Sequence, residues 1–378
     1  MRVLHLGKYY PPCPGGIESF LGDLLPVQQQ QGIDAAALVH AHDKPERQRF
    51  PQMVWRAPTY GKLLYVPFSP SFPLWLDAMI RTFDPQLLHI HVPNMSAFWA
   101  LAVPSARKIP WVIHWHSDVV ASSIDKRLAW AYQAYQPLEW MLLSRSVRII
   151  ATSIPYRDSS VPLQRWMDKT SVVPLGVDPR RLPTPESDDL SWAERQWKGT
   201  DLRVLCIGRL TYYKGHQVLL ESLQHVDQVQ LICVGGGELL SNLEERRQCL
   251  GLKVQFTGAL SDSRRNALLE TCDVLVLPSV ERTEAFGVVL LEAMAFGKPV
   301  IATRVEGSGM GWVVEDGENG LLVPPGDAEA LARAMRTMRE CPGLRKQMGE
   351  RGKEHLGTRF HIRRCARSFS GIYQDLHG

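Results

Sequence analysis

Apolar residues occur along this chain in short unbroken runs, separated by longer stretches where Leu, Ala and Met recur at helical spacing. Val3–Gly7, Gln86–His91, Trp111–His116 and Val147–Ser153 predict buried strands in the first half. Arg203–Gly208, Gln230–Gly235, Val254–Gly258, Val274–Pro278, Pro299–Thr303 and Gly320–Val323 predict strands in the second. Gly215–His225, Leu239–Leu250 and Asp327–Arg339 predict amphipathic helices between them. Strands that read as continuous apolar runs and alternate with helices belong to parallel sheets covered on both faces. The fold class is therefore α/β, doubly wound.

The pattern breaks over Asp178–Thr200, where Pro179, Pro183 and Pro185 accompany a run of Glu, Ser and Asp. A domain linker is expected there. It divides the chain into two Rossmann-like domains, 1–180 and 181–360. With 378 residues the chain is long for a single core, which agrees. Open sheets of this kind bind ligands beyond the carboxyl ends of their strands, so the loops at those ends are where chemistry is sought.

Charge and cysteine usage narrow the function. The net charge is only +4, and nucleic acid is not an expected partner. The balance is uneven, +5 over residues 1–180 and −1 over the remainder, which fits an acidic substrate or an anionic membrane surface at the first domain. Seven cysteines with no C-x-x-C pair argue against a disulfide framework and against a cysteine zinc site. The opening Met1–Gly7 is too short for the core of a signal peptide, and no apolar run approaches the roughly 20 residues of a membrane span. A cytoplasmic location is expected, with peripheral association at the inner membrane face as an option.

Four segments carry candidate chemistry. Glu284-Ala-Phe-Gly-Val-Val-Leu-Leu-Glu292 follows the strand ending at Pro278-Ser279 and opens a helix near Gly287. Free N–H groups at a helix start suit a phosphate, and a carboxylate such as Glu292 can accept two hydrogen bonds from a ribose. Gly208-Arg209-Leu-Thr-Tyr-Tyr-Lys214-Gly215 places two cations in one strand-to-helix loop, where they would neutralise a diphosphate leaving group. Gly235-Gly236-Gly237 and the turn Pro14-Gly15-Gly16 allow tight turns or close backbone approach to a ligand. Neither a Walker loop nor the dinucleotide fingerprint is present.

Histidines gather at two strand ends, His89-Ile-His91 and His114-Trp-His116-Ser117-Asp118. Alternation along a strand turns the members of each pair to one side. Zinc is the competing reading, but the sequence displays no convincing set of three or four ligands, and no metal is expected. His116 is the histidine assigned to the ligand cleft.

Together these motifs resemble the family 4 retaining glycosyltransferases of GT-B fold. The resemblance spans nearly the whole chain, through Gly15-Gly16, His116-Ser117-Asp118, Thr152-Ser153, Val173–Asp178, Gly208-Arg209, Lys214-Gly215, Pro278-Ser279, Glu284–Glu292 and Asp316–Val323. It implies that Arg209 and Lys214, beside Gly208, hold the diphosphate of a nucleotide-sugar donor. It implies that Glu292 holds the ribose, and that Glu284 with the backbone of Ala285, Phe286, Gly287 and Val288 meets the sugar and phosphates. Gly16 would lie over the diphosphate, the backbone at Phe256-Thr257-Gly258 would meet the base, and His116 would approach the transferred sugar at its 6-hydroxyl. The tail 361–378 would pack back on the first domain. The nucleotide sugar is a co-substrate, so no further cofactor is expected.

No Asp-x-Asp metal clamp is visible, so catalysis independent of metal is expected. His-Ser-Asp and Glu281-Arg-Thr-Glu-Ala-Phe-Gly287 resemble members that use GDP-mannose in bacterial polysaccharide assembly; UDP-sugars serve close relatives. The acceptor, a glycan or a lipid-linked sugar, would be chosen by loops at Tyr60–Pro73 and Val119–Tyr135. Lys126–Arg148 reads as a packed domain helix, with an interfacial helix as the alternative. Rival functions are an epimerase or hydrolase on the same fold, which would need extra acid/base carboxylates, and a non-catalytic sugar-nucleotide binder, which the intact Arg209, Lys214, Glu284 and Glu292 disfavour. A dehydrogenase is disfavoured by the missing fingerprint.

Overall fold

The computed structural model describes residues 1–41, 54–63, 66–119, 126–182, 184–199 and 201–376. It divides into two compact units, one of residues 1–176 with 362–378 and the other of residues 177–361.

The first unit is built on a parallel sheet. Its strands are β1 (Arg2–Leu6), β2 (Asp34–His40), β3 (Val54–Ala57), β6 (Leu87–Val92), β7 (Trp111–Trp115), β8 (Arg148–Ala151) and β9 (Thr170–Val172), after a small antiparallel pair, β4 (Lys62–Leu63) and β5 (Val66–Pro67). The spatial order is β3-β2-β1-β6-β7-β8-β9. Central strands are buried over both faces, which explains their unbroken apolar runs. Helix Gly16–Gln30 and the C-terminal helix Ile362–Asp375 pack together against this sheet. The second helix buries Ile362, Cys365, Ala366, Phe369 and Tyr373, a stripe with helical spacing.

The second unit repeats the plan with β10 (Leu202–Ile207), β11 (Val229–Val234), β12 (Val254–Phe256), β13 (Val274–Leu277), β14 (Val300–Thr303) and β15 (Gly320–Val323). All pairings are parallel, in the order β12-β11-β10-β13-β14-β15. Its core joins Val204, Cys206, Leu231, Val276 and Ile301 of the sheet to Leu219, Leu331 and Met335 of the covering helices.

Two expectations change. The stretch read as a linker is part of the second unit. Asp178 caps a short turn by accepting from Arg180 N–H at 3.0 Å, and Ser187–Gln196 is a helix. That helix buries Ala193, and Trp197 donates from Nε1 to Thr271 Oγ1 at 2.9 Å. Its polar surface and flanking prolines masked a small apolar stripe of Leu190, Ala193 and Trp197. The units accordingly divide after Gly176 and after His361 rather than at 180 and 360. Strands β2, β3 and β9 of the sheet, and the small pair β4 and β5 within the stretch read as a loop, lie outside the expected strands.

Parts of the expected linker (183, 200), of the acceptor loops (64–65, 120–125) and of the tail (377–378) lie outside the described residues. Lys126–Arg145 is a helix that buries Tyr135, Glu139, Leu142 and Leu143 while exposing Trp140 and Met141. Among the described residues no helix is long and apolar enough to cross a membrane.

Candidate active site

In the second unit, parallel strands bring the glycine loops to one sheet end. Gly208 follows β10, Gly235 follows β11, Thr257-Gly258 follows β12 and Pro278-Ser279 follows β13. The loops touch closely enough that side chains are forbidden at several positions. A Cβ on Gly235 would lie 2.1 Å from Gly208 O, and one on Gly237 would lie 2.2 Å from Leu210 O. Gly215 has φ +70° and no room at all, with Pro278 O 2.0 Å from where its Cβ would stand. Glycine there both supplies the left-handed turn and lets the Lys214 loop lie against the end of β13. Gly258 (φ +68°) accepts at its carbonyl from Gly235 N–H at 2.9 Å, tying the β11 and β12 loops together.

Lys214 extends along Gly208, whose missing side chain leaves room for the ammonium. Its Nζ lies 2.5 Å from Glu284 Oε2, with the two side chains 14% and 13% exposed. Burial disfavours the charged ammonium, but the Glu284 carboxylate, with Tyr213 and Cys206, outweighs that cost and holds the lysine pKa above its ordinary value. Lys214 is a fixed cation at neutral pH. Arg209, one residue beyond Gly208, is exposed.

Gly287 (φ +82°) caps helix Val288–Ala295 in the left-handed conformation. Ala285 and Phe286 are buried, and Gly309 N–H donates to Ala285 O at 2.8 Å. Ser308 Oγ donates to Glu284 O, clamping the loop from its other side. Glu292 is 6% exposed, with Arg181 Nη2 3.6 Å away. Arg181 and Ser308 went unnoticed in the sequence because no local spacing links them to the glutamates.

In the first unit, Gly16 is exposed at the start of helix Gly16–Gln30, with Glu18 folded back beneath Gly15. His116 is buried, not open, and it is one of five histidines on one face of the sheet. His5 (β1), His89 and His91 (β6), and His114 (β7) surround it, and ring centroids stand 4.0–5.3 Å apart between neighbours. Strand register causes this: His5 pairs with His89 and His91 with His114 across the sheet. Burial pushes His5 and His116 down to about 3, and the other three well below the ordinary value, helped by mutual repulsion. All five are neutral at pH 7.

The expectation that the histidines form no set of three is corrected. One ring nitrogen each of His5, His89 and His91, and of His91, His114 and His116, lies within 4.8 Å of the others. Several of the rings are nearly parallel, with interplanar angles of 11° for His89–His91 and 22° for His91–His116 and His114–His116. Hydrogen bonds link the rings: His5 Nδ1 to His91 Nε2 at 3.0 Å, and His91 Nδ1 to His116 Nε2 at 2.9 Å.

Residues 15–176 match the family model for the glycosyl transferase 4-like domain, and residues 189–355 match that for glycosyl transferases group 1. The O-antigen chain mannosyltransferase C of Escherichia coli is 30% identical over all of this chain and 99% of its own. The chain belongs to the group 1 glycosyltransferases. Another relative of this glycosyltransferase is the D-rhamnosyltransferase WbpZ of Pseudomonas aeruginosa, 33% identical over 92% of this chain and 89% of its own. Among solved structures, a sucrose-phosphate synthase from Thermosynechococcus elongatus superposes with TM-score 0.78 at 24% identity, covering 100% of this chain and 99% of its own. Anabaena HepE in complex with UDP-glucose also gives TM-score 0.78, at 22% identity, covering 99% of this chain and all of its own. These likenesses establish the GT-B fold of the glycosyltransferase.

Proposed function

We propose that this glycosyltransferase moves mannose from GDP-mannose to a glycan or lipid-linked acceptor in cell-surface polysaccharide assembly, with retention of configuration and without a metal. The observation that carries the reading is the buried, permanently charged Lys214, held by Glu284 beside exposed Arg209 at the carboxyl end of the second sheet. As the bond from sugar to phosphate breaks, negative charge grows on the diphosphate. Arg209, Lys214 and the first-turn amides of helix Val288–Ala295 stabilise it, the task a divalent cation performs elsewhere. Glu292 receives the ribose hydroxyls and Gly258 lies by the base. Gly16 lends a helix-start amide to the diphosphate, and His116 meets the 6-hydroxyl of the sugar. The acceptor attacks from the face the phosphate leaves, and the departing phosphate takes its proton. The name of the E. coli relative supports mannose.

The D-rhamnosyltransferase relative favours a second donor, since D-rhamnose is mannose without the 6-hydroxyl. One experiment addresses base, metal and sugar together: thermal shift with GDP, UDP and ADP in chelator, followed by transfer assays with mannosyl and 6-deoxymannosyl donors. Ligand at about 100 times its Kd stabilises by roughly 2.7 kcal/mol. GDP should shift the melting point in chelator. No shift with either GDP or UDP removes the donor assignment, and a shift that returns only with added metal removes metal independence. Faster transfer of the 6-deoxy sugar replaces the mannose reading with the second one.

A further inference from the structure

The histidine cluster contains a polar network whose end point is His116. Gln28 is fully buried on helix Gly16–Gln30. It turns Oε1 to His5 Nε2 at 2.9 Å and Nε2 to the Tyr373 hydroxyl at 3.3 Å. Tyr373, on the C-terminal helix, reaches His89 Nδ1. From His5 the bonds continue to His91 and then to His116.

The direction of every bond follows from Gln28. Each ring is neutral and carries one N–H. An amide oxygen only accepts, so His5 donates from Nε2 and its Nδ1 must accept. His91 therefore donates from Nε2 and accepts at Nδ1, and His116 donates from Nε2. The atom left over is His116 Nδ1, a buried lone pair with no partner among the described residues. On the other side the amide N–H donates to the Tyr373 oxygen, whose O–H turns to His89 Nδ1. Rotating the amide by half a turn would reverse all these bonds at once and convert His116 Nδ1 into an N–H donor.

We propose that Gln28 is a positioning residue for His116: its amide orientation fixes which ring nitrogen of His116 holds the proton, and hence that His116 accepts from a sugar hydroxyl. The inference rests on the reading of His116 as a sugar contact. Tyr373 extends it, because the C-terminal helix holds the far side of the same amide. A histidine whose free nitrogen has the wrong proton cannot take a hydrogen bond from a hydroxyl that needs an acceptor.

The test uses the full chain labelled with ¹⁵N-histidine at pH 8, where nitrogen spectra separate protonated ring nitrogens from lone pairs. Wild type should show His116 protonated on Nε2 alone. Gln28→Met, similar in shape and apolar, should give mixed tautomers at His116 and lower kcat at least about tenfold, with donor KM within about threefold. Gln28→Glu, whose carboxylate accepts, should restore the single tautomer and most of the activity. Tyr373→Phe serves if Gln28→Met does not fold. It deprives the amide N–H of its acceptor, so the amide should turn over and His116 should become protonated on Nδ1. A single unchanged tautomer at His116 in Gln28→Met, or in Tyr373→Phe should that variant be the one used, overturns the proposal. Altered tautomers with unchanged transfer would sustain the hold of Gln28 on His116 and remove His116 from the sugar-binding reading.

Discussion

Lys214→Ala separates two explanations of the same ion pair. In the first, Lys214 exists to stabilise a leaving diphosphate; in the second, it only neutralises Glu284. The pair is close, at 2.5 Å, and mostly buried, so truncation leaves a carboxylate with little solvent to replace its partner. A dry pair broken this way costs about 3–5 kcal/mol. These side chains keep 14% and 13% of their exposure, so a loss of about 1–3 kcal/mol is expected. Loss of one preorganised charge at the leaving group costs about 2.7–4 kcal/mol in the transition state, or about 10²–10³ in kcat. The stranded Glu284 carboxylate would add repulsion toward a diphosphate, so the single variant overstates the role of the lysine. Lys214→Ala combined with Glu284→Gln removes that repulsion. Initial rates of nucleotide release, on protein whose melting is checked by circular dichroism, should stay about 10²-fold below Glu284→Gln alone. Full recovery in the double variant would mean that Lys214 serves Glu284 and nothing else. A single variant within about threefold of wild type would reject the leaving-group role outright.

Two further outcomes follow from the same geometry. Five histidines are held neutral in the folded chain, with His5 and His116 at about 3, while the unfolded chain protonates them near pH ~6.5. Stability from their depressed pKa values is therefore complete above that pH and is lost as pH falls, by about 1.4 kcal/mol per histidine per unit. His5 and His116 together give about 3 kcal/mol per unit, a large share of a typical 5–15 kcal/mol by pH ~5, and the other three act in the same direction. Urea midpoints that stay flat from pH 7 to pH 5 would refute the neutral cluster. Gly215→Ala should destabilise by more than about 2 kcal/mol, because alanine is strained at φ +70° and its methyl meets Pro278 O; a urea midpoint unchanged from wild type would contradict that packing.

Much of this was legible in the sequence because parallel strands, buried on both faces, appear as unbroken apolar runs. The strands missed were those that depart from that signature. β2 is rich in alanine, a residue with little strand preference, and owes its conformation to pairing with β1. β3 and β9 are short, with several half-buried positions. Gly215 and Gly287 announced the loops because each φ is one that other residues adopt poorly. Contacts between distant segments left no local trace. Nothing in the spacing joins Arg181 to Glu292, or Gln28 and Tyr373 to the histidines. The histidine pairs were visible by alternation within each strand, whereas their union into one cluster required the strand order β1-β6-β7.

The two units treat charge in opposite ways. The second unit keeps Lys214 charged despite burial by giving it a carboxylate. The first keeps five imidazoles uncharged by burying them, with no carboxylate partner for any ring among the described residues. During transfer, negative charge grows on the diphosphate and positive charge on the anomeric carbon. A cation assists the first and opposes the second. Were His116 protonated at about 4 Å from the anomeric centre, a full unit of developing charge would be raised by about 4 kcal/mol at an effective dielectric of about 20. That corresponds to about a thousandfold in rate. On the proposed reading a neutral imidazole accepts a hydrogen bond from a sugar hydroxyl in the same place without that repulsion, so the burial that makes the cluster acid-labile would also suit His116 to a position beside the sugar.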